Sequence, residues 1–193
     1  LPQGPDKKPE TLLPVNCVEE EYLYVAMQRC ECGGHYEHDR QSLTKRGETA
    51  CDELTVHCVQ CRKPRTFSFD ISAFFGNLAN YGKIVKPSRL FDAVEWLGMA
   101  ALFLRDSERR GAEEKRMMLA EADFCLDQIL MFYEGEGEMP VPGAFFHQPD
   151  GKIGKDRENL FSLAQVLKLK ERTKSARTAQ KARDKEDGGD GDN

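Results

Sequence analysis

The chain has 193 residues, with 28 Lys and Arg against 33 Asp and Glu and a formal net charge of −5. That length suffices for one domain, or for a small module joined to a helical one, and the acidic balance argues against a general nucleic-acid coat. The apolar share of 39% is ordinary for a globular protein. No run approaches the roughly 18 consecutive apolar residues of a membrane span.

The first fourteen residues, LPQGPDKKPETLLP, are polar and proline-rich and read as a flexible segment over 1–14. They lack the apolar core and cleavage site of a signal peptide, and the start at Leu1 reads as processed or engineered. Residues 15–70 read as a small β module. Glu21–Arg29 (EYLYVAMQR) is aromatic and β-branched and predicts a strand. His35–Arg46 predicts a second, partly exposed strand ending in the turn Arg46-Gly47-Glu48. Leu54 with Val56, and Phe67 with Phe69, alternate with polar residues and predict two more.

Residues 71–172 change period and read as three to four helices. Leu90, Phe91, Val94, Leu97, Ala101 and Leu102 recur at three- and four-residue steps, so Ser88–Asp106 predicts a helix with Ser88 as its N-cap. A second helix is predicted over Ala112–Tyr133 and a third over Arg157–Arg172, with a Gly/Pro-rich loop at 135–143 between them. Residues 173–193 are charged, poor in large apolar side chains, and read as a charged tail that is disordered or a frayed helix.

Seven cysteines are many for this length. Four of them form close pairs, Cys30-Glu31-Cys32 and Cys58-Val59-Gln60-Cys61, separated by a hairpin's length of chain. Two such pairs fit a tetrahedral structural zinc site, each pair on a tight turn at a strand end. Gly33 and Gly34 let the backbone turn sharply after the first pair. The spacing also admits a mixed site that recruits His35, His38, His57 or Cys51, a disulfide pairing, or an iron site. Disulfides fit less well, because a C-x-C bridge is strained and seven thiols leave one unpaired. Reduced thiols around a metal suit a cytoplasmic setting.

Residues 22–70, a quarter to a third of the chain, thereby resemble a zinc ribbon, similar to that of the stand-alone bacterial zinc-ribbon proteins in which such a module is followed by helices. The resemblance implies one structural Zn²⁺ held by Cys30, Cys32, Cys58 and Cys61. The first pair departs from the usual C-x-x-C spacing, and neither pair contains the proline common in these knuckles. A four-sulfur zinc site is closed and has no position for an activated water.

The remaining motifs are less specific. Cys17 and Cys51 are left over as a redox pair or as buried small hydrophobes. His147 and Asp150 share a loop without a nucleophile. Arg62, Lys63 and Arg65, followed by Phe67 and Phe69, are residue types that clamp single-stranded nucleic acid, yet residues 28–66 are nearly neutral overall. No phosphate loop, nucleophile elbow or metal-hydrolase motif is present. The sequence therefore predicts an α+β protein: a small antiparallel zinc-ribbon module followed by a three- to four-helix bundle. The expected role is non-enzymatic, an adaptor or assembly factor with a protein partner. A nucleic-acid-associated factor and a thiol-based redox protein are the alternatives.

Overall fold

The computed structural model describes residues 11–76, 86–135 and 137–187. Most of the expected flexible segment 1–14, and residues 188–193 of the expected tail, lie outside these. The chain forms two compact units, Leu1–Leu90 and Phe91–Asn193. The fold is α+β. Among the described residues no helix is long and apolar enough to cross a membrane.

Among the described residues, the first unit is a four-stranded sheet with one helix. Strand β1 is Leu13–Pro14, helix α1 is Val18–Met27, and strands β2 (Tyr36–Arg46), β3 (Thr49–Cys58) and β4 (Pro64–Asp70) follow. The order is β1-β4-β3-β2. β2, β3 and β4 pair antiparallel, whereas β1 runs parallel to β4, so the sheet is mixed rather than purely antiparallel.

The strand expected over Glu21–Arg29 is instead helix α1. Glu19, Glu20 and Glu21 lie in its first turn, where the helix dipole favours negative charge. Glu20 Oε2 also accepts the backbone N–H of Asn16 at 2.7 Å. Tertiary packing then overrides strand propensity. Tyr24 stacks edge-on against Phe67 and Phe69 at 5.9 and 6.0 Å, over a sheet face that buries Leu54 and Val56.

In the second unit, α2 (Ala93–Ser107) and α3 (Ala112–Leu130) are joined by a short turn, and α4 spans Leu163–Asp187. Asp92, not Ser88, caps α2. It accepts from the Glu95 N–H at 2.9 Å, and Glu95 accepts in return from the Asp92 N–H at 2.8 Å. This reciprocal pair satisfies two donors that the first helical turn leaves without intrahelical partners. Trp96 is fully buried against Phe91 and Phe124. Between α3 and α4 the chain makes 3-10 turns at Pro142–Phe145, Pro149–Gly151 and Glu158–Phe161. Phe145 and Phe161 meet there edge to face at 5.3 Å.

Helix α4 begins later than the expected Arg157 and continues through residues 173–187, which composition alone reads as disordered or a frayed helix. Polar contacts with α3 explain the difference. Lys170 bridges Asp123 at 2.9 Å and Asp127 at 2.6 Å, Arg177 pairs with Asp123, and Arg116 reaches Asp184 at 3.3 Å. Thr173 and Gln180 are buried in the same seam.

Candidate metal centre

Two turns build the cysteine cluster. In the first, which follows α1, Gly33 donates to the Cys30 carbonyl and Cys30 to the Gly34 carbonyl, each at 2.8 Å. Gly33 holds φ +87, the left-handed region open to glycine. In the second, between β3 and β4, Arg62 donates to the Cys58 carbonyl at 2.9 Å and Cys58 to the Lys63 carbonyl at 3.0 Å. The turns are tied together by Val59 N–H donating to the His35 carbonyl at 3.0 Å. The first pair follows a helix, not the strand a ribbon reading expects.

These turns bring the four predicted ligands together. The sulfurs of Cys30, Cys32, Cys58 and Cys61 all lie within 4.8 Å of one another. The Cys30–Cys61 and Cys32–Cys58 sulfur separations are 3.6 and 3.4 Å. A tetrahedral ion with bonds of about 2.3 Å sets its ligand sulfurs roughly 3.8 Å apart, whereas a disulfide brings two sulfurs to about 2.05 Å. The cluster therefore fits a metal, and all seven cysteines are free thiols.

Gly34 shows how closely the cradle is drawn: a Cβ there would stand 2.6 Å from Cys58 Sγ. Cys30 and Cys58 are buried, whereas Cys32 and Cys61 are exposed. Backbone N–H groups prepare the sulfurs for negative charge. The Cys32 N–H lowers the Cys30 thiol. The N–H groups of Cys61 and then, after desolvation opposes them, Gln60 bring Cys58 down to about 6. The Lys63 N–H acts in the same sense on Cys61, but desolvation and the neighbouring sulfurs push that thiol up to about 12. Four sulfurs this close do not all ionise without a cation between them.

The alternative ligands stand elsewhere. His57 is engaged by Glu37 at 3.2 Å and Asp39 at 2.5 Å. Cys51 is fully buried and donates to the Thr49 carbonyl at 3.5 Å. His38 packs against Tyr22. Cys17 sits half-buried at the start of α1, its thiol raised well above the ordinary range by burial and then by Glu20. Arg62, Lys63 and Arg65 are exposed on the second turn and the start of β4. Lys63 approaches Glu31 at 3.6 Å, and the Arg65 guanidinium lies 4.5 Å over the Phe67 ring.

A second group with metal-ligating atoms, Asp92, Glu95 and His147, escaped sequence reasoning. His147 pairs with Glu95 at 2.7 Å rather than with Asp150. Asp92 is saturated: Oδ1 accepts from Glu95 N–H, and Oδ2 accepts from His147 N–H at 3.2 Å and Gln148 Nε2 at 2.9 Å. These bonds make it a helix cap that also pins the loop at 146–148. The Asp-x-x-Glu spacing of a capping box was the available signal.

No family model matches the chain, and comparison with curated proteins and with solved structures gives no match.

Proposed function

We propose that the chain is a non-enzymatic zinc-binding protein of the zinc-ribbon kind. One structural Zn²⁺ is held by Cys30, Cys32, Cys58 and Cys61, and the helical unit offers a surface to a protein partner, as in an adaptor or assembly factor of the cytoplasm. The observation that carries the zinc reading is the convergence of four free thiols from two backbone-braced turns at near-tetrahedral separations. Four sulfur ligands fill the coordination sphere of zinc, so the ion would brace the turns rather than activate water. The partner reading draws on exposed large apolar side chains of the helical unit, among them Leu102, Met117, Leu160 and Leu167.

Elemental analysis of native protein, with thiols counted before and after denaturation in chelator, tests the site. One zinc per chain, with four thiols titrating only after chelation, supports it. Absence of metal together with fewer than seven titratable thiols overturns it in favour of disulfides.

One observation favours a second reading, contact with nucleic-acid phosphates. Arg62, Lys63 and Arg65 are exposed side by side, and Arg65 is held over Phe67 and, at 5.9 Å, over Tyr36. Binding to a single-stranded oligonucleotide that weakens steeply with salt and is lost on Arg62→Glu with Arg65→Glu supports that reading. A redox role for Cys17 or Cys51 has the least support, since burial disfavours the thiolate of the first and the second is fully enclosed.

A further inference from the structure

Strand β2 is an open edge. In the order β1-β4-β3-β2 it pairs only with β3 among the described residues. Its side chains are exposed or half-exposed along the whole length, and Leu43 is 61% exposed. Edge strands carry unpaired N–H and C=O groups able to template another strand, and charges scattered along them normally discourage this. On β2 the charges are sorted in net sign instead. Glu37 and Asp39, with Arg40 beside them, leave its first half net acidic, and Lys45 and Arg46 make its end basic.

A β-bulge gives that sorting a geometric consequence. Register with β3 shifts between His38 and Arg40, leaving Asp39 as the extra residue. In a regular strand positions 37 and 46 would point to opposite faces, because side chains alternate with period two. Here Glu37 stands opposite His57 and Arg46 opposite Thr49, two β3 residues of the same parity, so both lie on one face of the sheet. The ion pairs agree: Glu37 engages His57, and Arg46 engages Glu53 at 3.0 Å, on that same face.

We propose that β2 pairs antiparallel, across a two-fold axis at Ser42, with β2 of a second copy of this chain, joining the two sheets edge to edge. Ser42 faces Ser42 of the second copy, Gln41 faces Leu43, and Arg40 faces Thr44. Past the bulge, His38 faces Lys45 and Glu37 faces Arg46. The last pairing occurs twice by symmetry, as an isologous interface requires. In this register no two acidic and no two Lys or Arg side chains stand directly opposite. The side chains of Glu37 and Arg46 are 65% and 36% exposed, leaving both accessible. Pairing a strand of this length supplies backbone hydrogen bonds and cross-strand ion pairs but little apolar burial, so the dimer forms reversibly.

Sedimentation velocity on the full, metal-loaded chain between about 1 and 200 µM tests the proposal. A monomer–dimer equilibrium is expected, with amide exchange across residues 40–44 slowing as concentration rises. Ser42→Lys opposes two ammonium groups on the axis and is expected to weaken the dimer by about tenfold or more. Glu37→Lys is expected to weaken it similarly, and Glu37→Lys with Arg46→Glu to restore it. Circular dichroism confirms that each variant folds. A monomer throughout the range overturns the proposal, as does a dimer that Ser42→Lys leaves unchanged. Ser42→Lys keeps the test decisive if the Arg46 variant fails to fold.

Discussion

Glycine at position 34 is required for space rather than for backbone freedom. Its missing Cβ is what lets the first turn approach Cys58 Sγ. On the proposed zinc reading, Gly34→Ala is expected to weaken metal affinity about 10- to 100-fold, the range for disturbed support of a metal ligand, measured by competition with a chromophoric chelator. Glu21 presents the opposite case, a charge-bearing group with no outlet. It is fully buried on α1, and burial followed by the Asp52 carboxyl pushes its pKa up to about 9. An unfolded Glu titrates near 4.5, so the folded unit binds a proton that the unfolded chain releases between those values. The contribution of Glu21 is therefore full below about pH 4.5 and is lost as pH rises through about 9. Glu21→Gln keeps the shape without the proton. It is expected to stabilise the first unit by about 1–3 kcal/mol at pH 8 and to flatten the pH dependence there, read by urea unfolding.

At the scale of elements, α2 depends on its cap and α4 on its ion pairs. Asp92→Ala removes the cap and both anchors of the loop at 146–148, and is expected to cost about 2 kcal/mol, the upper end for a lost N-cap. Lys170 is 8% exposed between two aspartates. Lys170→Ala is expected to destabilise the helical unit by about 2 kcal/mol, while Arg116→Ala, which breaks a more exposed pair, is expected to cost less than about 0.5 kcal/mol. Urea unfolding of the two variants side by side checks the contrast. The same elements mark where sequence reasoning reached and where it stopped. The cysteine pairs were legible because chelation needs residues close in sequence on tight turns. Strands β3 and β4 were legible from period-two alternation, and β2 from the turn at Gly47 that ends it. Helix α1 was not, because its buried positions include Glu20 and Glu21, which interrupt any apolar stripe. The later half of α4 was legible only as a disordered segment or a frayed helix, for a related reason: it docks through Lys170, Thr173, Arg177 and Gln180, side chains that composition assigns to solvent.

For the whole molecule, two compact units and the zinc proposed for the first imply separable responses to loss of metal. The β unit has a thin core under one helix, and removal of a buried thiolate leaves its two turns without a common centre. Cys58→Ser is expected to unfold the first unit and leave the helical unit folded. The single tryptophan makes this readable, since Trp96 is fully buried within the second unit. Its emission is expected to stay native in the variant, and during chelator titration of the parent chain, while strand content falls in far-ultraviolet circular dichroism. Loss of the Trp96 signal in step with strand content would contradict that separation.

Arg62 holds φ 59 immediately after the second cysteine pair, a conformation that costs a side-chain-bearing residue roughly 1–2 kcal/mol. The usual ranking of substitutions inverts at such a position. Glycine becomes the gentlest replacement and asparagine the next, while valine or isoleucine, ordinarily at home beside a strand, becomes more damaging than any other residue but proline. A saturation library at residue 62, scored for folded protein, would rank its variants by backbone handedness before size or polarity.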